Sequence, residues 1–263
     1  KNVIKNQRPK KIILDYGGPN IGKPLHVGHL RSLNIGRSLS KINQLAGNKV
    51  LTDIHMGDWG MPIGQIIGYI QKFDIELRNI DIDDLEEIYP KASKLYIDDK
   101  EFKDHAQFIN KKLNSNDKNL LKKWRKIKKI SIESIKEILN LLNHSFDLWM
   151  GESDVNYLIP EMIKKLDDDE KISIDGGAYV SNLESDPKIL ITKSDGSYLY
   201  LTTDLATVLD RIEKYDFDKT LYIVDKRQEL HFKQLFKSLD YFGFVEREYE
   251  HIAFGTINDL NGN

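Results

Sequence analysis

The chain has 263 residues, of which 40% are hydrophobic and 30% charged, and its formal net charge is −2. This length accommodates one large domain or two smaller ones, and the balanced charge excludes a global basic field that would attract nucleic acid. The absence of cysteine excludes disulfides and thiolate zinc sites, and it fits a reducing, cytoplasmic location. No apolar run approaches the roughly 18 residues of a membrane span, so we expect no membrane association.

The first 60 residues predict one β-α-β unit. The apolar run KKIILDY at 10–16 ends before a Gly-Pro turn and predicts a buried parallel strand. Residues 29–46 predict a helix capped by Gly47, and 48–56 predict the next strand, reached by a right-handed crossover. We expect the helix to bury an apolar stripe of Leu30, Leu33, Ile35, Leu39, Ile42 and Leu45.

Residues 61–146 have helical periodicity and predict a helical insertion into the sheet-forming part of the chain. A lysine-rich stretch at 111–129 lies within this insertion. The favoured interpretation of these lysines is a solvated helix face, and a phosphate-facing surface is the alternative.

Strand signals return in the second half of the chain, at 171–183 and at 188–202. The second segment contains Asp195-Gly196, a hairpin signal, and is followed by a predicted helix (204–215), strand (219–225), helix (229–242) and strand (250–256). The pattern predicts an α/β fold with a doubly wound, Rossmann-like parallel sheet. The predicted domains are the first half of the sheet domain (1–60), a mainly helical insertion with hairpin elements (61–190) and the second half (191–263).

The segment GGPNIGKPLHVGH at 17–29 follows the first predicted strand, where ligands bind in such a sheet. Its glycines allow a tight turn, and the N–H groups at the start of the next helix point at the same place. Two imidazoles and one lysine add donors and positive charge, from His26, His29 and Lys23. Together they predict a polyanion site, with a nucleoside triphosphate as the preferred ligand. The alternative is a pair of solvent-facing histidines at a helix start.

The same segment carries a family resemblance. HVGH after GGPNIGKPL is similar to the His-Ile-Gly-His signature of class I aminoacyl-tRNA synthetases, and the longer string from Asp15 resembles arginyl-tRNA synthetases. The resemblance continues, in order, through GDWGMPIGQ (57–65), GES (151–153), YLYLTTDLA (198–206) and VDKRQELHFKQLF (224–236). The family's N-terminal domain, anticodon-binding helical bundle and lysine-containing signature loop have no counterpart here, so we expect a catalytic-domain piece of a longer protein.

The resemblance implies ATP-dependent activation of arginine to arginyl-adenylate, with Mg²⁺ bound to the ATP, and transfer of arginine to the 3′ end of tRNA(Arg). It places Gly22, His26, Gly28 and His29 in the ATP site. It implies that Lys23 takes over the role of the missing signature lysines. We expect a monomer with no metal of its own, and little aminoacylation by residues 1–263 alone.

The resemblance also implies an arginine pocket. Asp15, Tyr200 and Asp204 would line it, while Asn20 and Gln228 would hold the amino-acid backbone or the shape of the pocket. A carboxylate that ends an apolar strand, as Asp15 does, needs a partner. The others have simpler interpretations, because Asp204 could favour a helix start, Tyr200 could be a hairpin residue and Gln228 could lie in a first helical turn.

Three further hypotheses stay open. GDWG at 57–60 is either a structural tight turn with a tryptophan or part of the closing of the active site. The function could instead be that of another His-x-Gly-His nucleotidyl-transferring enzyme with a different acid substrate, although the acidic pocket residues favour a cationic one. A non-catalytic, synthetase-like module that binds tRNA or an amino acid is the third possibility, and the presence of His26, His29 and Lys23 counts against it.

Overall fold

The computed structural model describes residues 8–194, 196–244 and 247–255, and it divides into two compact units. Unit 1 consists of the described residues of Lys1–Gly18, Val27–His55 and Phe146–Asn263, and unit 2 consists of Pro19–His26 and Met56–Ser145. The limits of these units differ from the predicted domain boundaries after residues 60 and 190. The domain boundaries stay a prediction.

A four-stranded parallel sheet forms the centre of unit 1, as predicted. Its strands are β1 (Lys11–Tyr16), β2 (Lys49–Asp53), β5 (Lys219–Asp225) and β6 (Glu248–Phe254), in the spatial order β2-β1-β5-β6. From β1 the chain first builds outward to β2 and only later adds β5 on the other side. The switch in direction therefore lies between β1 and β5, where ligands of doubly wound sheets bind beyond the carboxyl ends of the strands.

Helix α1 (Val27–Leu45) packs on the sheet through small residues, not through the predicted apolar stripe. Its buried residues are Ser32, Leu33, Gly36 and Ser40, so Leu33 is the single stripe member that is fully buried, and Ile42 and Leu45 are 60% and 63% exposed. A Cβ at Gly36 would lie 2.2 Å from Cγ of Tyr16. The helix lies too close to β1 for large side chains, and this close approach is the reason that the prediction was wrong.

The second half of unit 1 contains an antiparallel hairpin, formed by β3 (Ile172–Asp175) and β4 (Ala178–Ser181), as the strand signals predicted. Helices α6 (Ile159–Asp168), α7 (Tyr200–Lys214) and α8 (Glu229–Phe242) complete the unit. They share one apolar core, whose buried residues include Val155, Ile159, Met162, Ile191, Leu205, Val208, Leu235 and Leu239.

Helix α7 begins at Tyr200, four residues before its predicted start. The predicted strand pairing at 188–202 is reduced to an isolated antiparallel bridge between Thr192 and Tyr198, and Asp195 lies outside the described residues. The residues YLTT at 200–203 favour a strand by propensity, but burial of three of them against the core outweighs that preference. The hydroxyl of Thr203 donates to the Tyr200 carbonyl at 2.8 Å inside the first helical turn.

Unit 2 is helical, as predicted. It contains α2 (Met61–Lys72), α3 (Ile82–Asp98), α4 (Lys100–Asn114) and α5 (Lys118–Leu141), packed around a core that includes Ile63, Ile66, Ile67, Ile70, Leu85, Ile88, Ile109 and Ile127. Within the described part of the chain, no helix combines the length and apolar character required to span a membrane.

The lysine-rich stretch 111–129 lies on α4 and α5, and one of its cations pairs with a buried carboxylate. Nζ of Lys128 lies 2.5 Å from Oδ2 of Asp58, and the Asp58 side chain is fully buried. Lys118, Lys122, Arg125 and Lys129 are exposed on α5, so both interpretations of the stretch stay open for them.

We predict that Gly36→Val destabilises the fold, because it forces a side chain into the ring of Tyr16. The free energy of unfolding, measured with urea, should fall by roughly 2–3 kcal/mol. Ser38→Val introduces the same side chain at an exposed position of the same helix and should change stability by about 0.5 kcal/mol or less. Equal midpoints for the two variants would contradict the close approach of α1 and β1.

Candidate functional site

Three polar side chains lie side by side near the carboxyl edge of the sheet in unit 1. Asp15 of β1 is in register with Asp53 of β2 on one side and with Tyr222 of β5 on the other. Residues directly opposite each other on neighbouring strands point to the same face of a sheet. These side chains therefore share the face opposite to that of Tyr16, which meets α1.

A buried guanidinium joins this row. Nη2 of Arg211, from α7, lies 2.6 Å from Oδ2 of Asp15 and 2.6 Å from Oδ2 of Asp53, and Nη1 lies 3.5 Å from the Tyr222 hydroxyl. Arg211 is 1% exposed. Burial raises the pKa of Asp15, and the neighbouring Arg211 charge opposes that rise. Arg211 of the same chain thus supplies the partner that Asp15 requires.

His55 lies beside the same carboxylates, with Nδ1 4.0 Å from Oδ2 of Asp53. Ligand atoms of Asp15, Asp53 and His55 all lie within 4.8 Å of one another, a spacing that a metal ion could use. The Arg211 guanidinium already contacts both carboxylates, and its positive charge would repel a cation. We therefore assign the two carboxylates to Arg211.

Asp204 lies in the second turn of α7, one turn after Tyr200. The interpretation of Asp204 as a residue that favours a helix start is therefore wrong, and Tyr200 is a helical residue and not part of a hairpin. Tyr200 is 66% exposed and lies on the same helix face as Asp204, because residues four apart are neighbours on a helix. Oδ2 of Asp204 lies 2.6 Å from Nε2 of His231 on α8.

Tyr222 connects the two predicted carboxylates of the arginine pocket. Burial raises the pKa of Tyr222 well above its ordinary value, Arg211 opposes the rise, and the charges of Asp15 and Asp204 add to it. Asp204 precedes Arg211 by about two turns on α7, and Arg211 contacts Asp15. Asp15 and Asp204 are therefore linked through α7 within unit 1.

Gln228 is exposed and ends a short 3₁₀ turn, Lys226–Gln228, directly before α8. Gln228 thus directly precedes α8, one residue before the first helical turn in which the simpler interpretation placed it. Its side chain makes no capping hydrogen bond to α8.

The start of α1 is anchored at the switch point of the sheet. The Gly17 amide donates to Oγ of Ser32 at 2.9 Å, and Oγ of Ser32 donates to the carbonyl of Ile223 on β5 at 2.7 Å. His29 lies in the first turn of this helix, Gly28 is its second residue and His26 directly precedes it. The first turn of α1, which contains His29, is thus held near the carboxyl ends of β1 and β5.

The segment between β1 and α1 belongs to unit 2 from Pro19 to His26. Asn20 forms a parallel bridge with Gly57, and a Cβ at Gly57 would lie 2.1 Å from Oδ1 of Asn20. Gly22 has a φ of +81°, and its amide donates to Oγ of Ser131 at 2.8 Å. Nζ of Lys23 lies 3.8 Å from the ring centroid of Tyr89, a distance at which a cation is attracted by the ring.

The GDWG segment has a structural role in unit 2. Besides the pairing of Asp58 with Lys128, Nε1 of Trp59 donates to Oδ1 of Asn114 at 2.8 Å, and Trp59 packs edge to face on Trp124. These contacts favour the tight-turn interpretation of this segment.

Comparison with known proteins identifies the family. The family described as tRNA synthetases class I (R), catalytic domain, matches residues 1–262. The chain belongs to this family. An arginine–tRNA ligase of Francisella tularensis subsp. holarctica is 37% identical over 278 residues, covering 98% of this chain and 48% of the relative. One of Alkaliphilus oremlandii is 38% identical over 276 residues, covering 97% and 47%.

Solved structures of arginyl-tRNA synthetases have the same fold as this synthetase catalytic domain. The Plasmodium falciparum enzyme superposes with a TM-score of 0.78 at 26% identity, covering 97% of this chain and 44% of that one. The Thermus thermophilus enzyme has a TM-score of 0.72 at 18% identity, with coverage of 98% and 50%, and supports the fold alone. The chain spans about half the length of the curated relatives that it matches.

The structure of this synthetase catalytic domain adds three polar residues that the sequence did not single out, namely Asp53, Arg211 and His231. Asp53 is the last residue of β2 and Asp15 is the second-last residue of β1, and this repeated pattern was a usable signal. Arg211 lies in a helix with charged neighbours, and nothing local distinguishes it from an exposed arginine. His231 lies in the matched string at 224–236, but its contact with Asp204 spans 27 residues.

We predict that Arg211→Met strongly destabilises this synthetase domain, because it leaves two buried carboxylates without a cation. The free energy of unfolding should fall by roughly 3–5 kcal/mol near neutral pH. Arg227→Met serves as the control, because Arg227 is an exposed arginine paired with Asp225, and its loss should change the stability far less. Comparable losses in the two variants would contradict the structural role of Arg211.

The loss in Arg211→Met should also depend on pH. Removing the opposing charge raises the pKa of Asp15 further above its value of about 3.9 in the unfolded chain. A carboxyl with a raised pKa in the folded state binds more protons there, so its contribution to stability is lost as pH rises through that pKa. The deficit relative to wild type should be smaller at pH 5 than at pH 8, and a constant deficit would count against the assignment.

Proposed function

We propose that the protein containing this chain activates arginine with ATP and transfers it to tRNA(Arg). The observation that carries the proposal is that Arg211, which contacts Asp15, lies about two turns after Asp204 on α7 in a member of the class I (R) synthetase family. Two carboxylates in a largely dry place suit a cationic amino acid. Planar carboxylates also match the fork of a guanidinium better than the point charge of a lysine.

In the proposed arginine pocket, Asp204 is the principal acceptor for the substrate guanidinium, and Tyr200 lines the same helix face. Asp15 contributes negative charge, although Arg211 holds one of its oxygens. Asn20 and Gln228 would bind the carboxylate and amino group of the substrate or hold the shape of the pocket. Asn20 lies at the bridge with Gly57, and Gln228 ends the 3₁₀ turn before α8. These positions support such contacts with the substrate backbone.

The adenylation step needs positioning and charge stabilisation rather than an enzyme nucleophile. A carboxylate oxygen of arginine attacks the α-phosphorus of ATP, the new P–O bond forms, and the bond to pyrophosphate breaks. His26, His29 and the N–H groups at the start of α1 would stabilise charge on the phosphate oxygens. Gly22 and Gly28 would let the backbone approach the nucleotide, and Lys23 would neutralise the departing pyrophosphate. Mg²⁺ would enter with the ATP and share that charge.

In the second step, a ribose hydroxyl of the terminal tRNA adenosine takes the arginyl group and AMP leaves. The exposed cations of α5 are one candidate surface for tRNA phosphates, beside their interpretation as a solvated face. Cytoplasmic protein synthesis would be the setting of this activity, and the expected monomer stays a prediction.

ATP–pyrophosphate exchange by the full-length protein tests the proposal against its rivals. The assay runs with each amino acid, with and without tRNA(Arg). Exchange that depends on arginine supports the proposal, exchange with a different acid supports another His-x-Gly-His enzyme, and no exchange under any condition supports a non-catalytic binding module.

We predict that His29→Ala lowers the exchange rate far more than arginine affinity, because the ring acts on the phosphate during reaction. Removal of one such donor costs about 10²–10³ in turnover. Turnover is measured by exchange and arginine affinity by calorimetry. Equal losses in both quantities would show that His29 is only structural.

We also predict that Asp204→Asn removes arginine binding selectively. The substrate guanidinium would lose its charged partner at a cost of roughly 3–5 kcal/mol, while ATP affinity stays near the wild-type value. Calorimetric titration of both ligands measures the effect. Normal arginine affinity in this variant would show that the pocket is assigned to the wrong carboxylate.

A further inference from the structure

Asp204 is held by a neighbouring side chain in a way that bears on substrate recognition. Nε2 of His231 lies 2.6 Å from Oδ2 of Asp204, and the two side chains are 23% and 27% exposed. An ionised carboxylate only accepts hydrogen bonds, so the hydrogen in this contact belongs to His231. The bond engages Oδ2, and within the described part of the chain Asp204 has no hydrogen bond through Oδ1.

His231 is itself fixed by an aromatic cluster. Its ring packs edge-on against Phe232, with the centroids 5.3 Å apart. Phe232 stacks on His251 at 4.4 Å and contacts Tyr222 at 5.0 Å. Nε2 of His251 lies 3.0 Å from the carbonyl oxygen of Val224 on β5. The donor that meets Asp204 is therefore tied to the sheet through packed rings and has little freedom to move.

The other predicted pocket carboxylate is held in the same manner. Arg211 engages Oδ2 of Asp15, as His231 engages Oδ2 of Asp204. In each case a nitrogen of the chain holds one oxygen and thereby restricts the rotation of the carboxylate. A ligand group is recognised more tightly when its partner is fixed beforehand, because less side-chain freedom is lost on binding.

We propose that His231 is a positioning residue for substrate recognition, which holds Asp204 by Oδ2 and directs Oδ1 to the guanidinium of arginine. This inference rests on the proposed function and extends it to a residue outside the predicted site. His231 acts through Asp204 and does not touch the substrate. It therefore contributes to affinity for arginine and to the rejection of neutral analogues, and it contributes little to ATP binding.

The test compares His231→Leu with His231→Gln in the full-length protein. Leucine removes the donor, whereas the glutamine amide carries a donor that can reach the same carboxylate oxygen. In arginine-dependent ATP–pyrophosphate exchange, His231→Leu should raise KM for arginine roughly tenfold to hundredfold, and His231→Gln should stay within about threefold of wild type. KM for ATP should change by less than about threefold in both variants. His105→Leu, at a histidine in unit 2 that contacts Gln71, is the matched control.

A double-mutant cycle shows whether His231 acts through Asp204. In an Asp204→Ala background, the further change His231→Leu should weaken arginine binding by less than about threefold, because the hydrogen-bond acceptor of the histidine is already lost. Citrulline, a neutral analogue, should compete equally well in wild type and His231→Leu.

The outcomes separate this inference from the proposed function. If the wild type and His105→Leu show no arginine-dependent exchange, the proposed function fails and this inference fails with it. If both show exchange but His231→Leu keeps the wild-type KM for arginine, only the role of His231 is overturned. Equal increases in KM for arginine and ATP, with no rescue by glutamine, would show that His231 is merely structural and would also overturn it.

Discussion

One buried guanidinium, that of Arg211, organises the carboxyl edge of the sheet. It neutralises Asp15 and Asp53, which end neighbouring strands and would otherwise repel each other in a place with little water. Because Arg211 belongs to α7, the same contact fixes that helix on the sheet and brings Asp204 near Tyr222. The arrangement of the candidate site thus depends on a guanidinium that has no direct role in the proposed chemistry.

In the proposed arginine pocket, this ion pair gives the two carboxylates different roles. Asp15 already meets an internal guanidinium, so its site is partly satisfied before a substrate arrives. Asp204 meets a histidine instead, a weaker competitor for a carboxylate than a permanently charged arginine. The division of roles between the two carboxylates follows from their partners, and Asp204 is the one better suited to exchange water for a substrate.

The sequence predicted those features that depend on local pattern. The apolar runs of β1 and β5 and the periodicity of α2 to α5 indicated their elements, and the motif strings led to the family that the comparisons confirm. The sequence did not predict the features that depend on how closely two elements approach each other. The burial of Ser32, Gly36 and Ser40 in place of Ile42 and Leu45 follows from how closely α1 approaches Tyr16, and the early start of α7 follows from core packing. Arg211 and His231 find their partners 196 and 27 residues away, which no local pattern encodes.

The membership of Pro19–His26 in the helical unit has a consequence for folding. Ile21 is part of the core of that unit, and the backbone around Asn20 pairs with Gly57. The helical unit is therefore discontinuous in sequence, and residues 56–145 expressed alone would lack Ile21 in their core and the backbone partner of Gly57. During synthesis, residues Pro19–His26 leave the ribosome well before the helices of Met56–Ser145. This unit can therefore be completed only after the later segment has been made. The segments of the two units alternate along the chain. We therefore expect the two units to fold together.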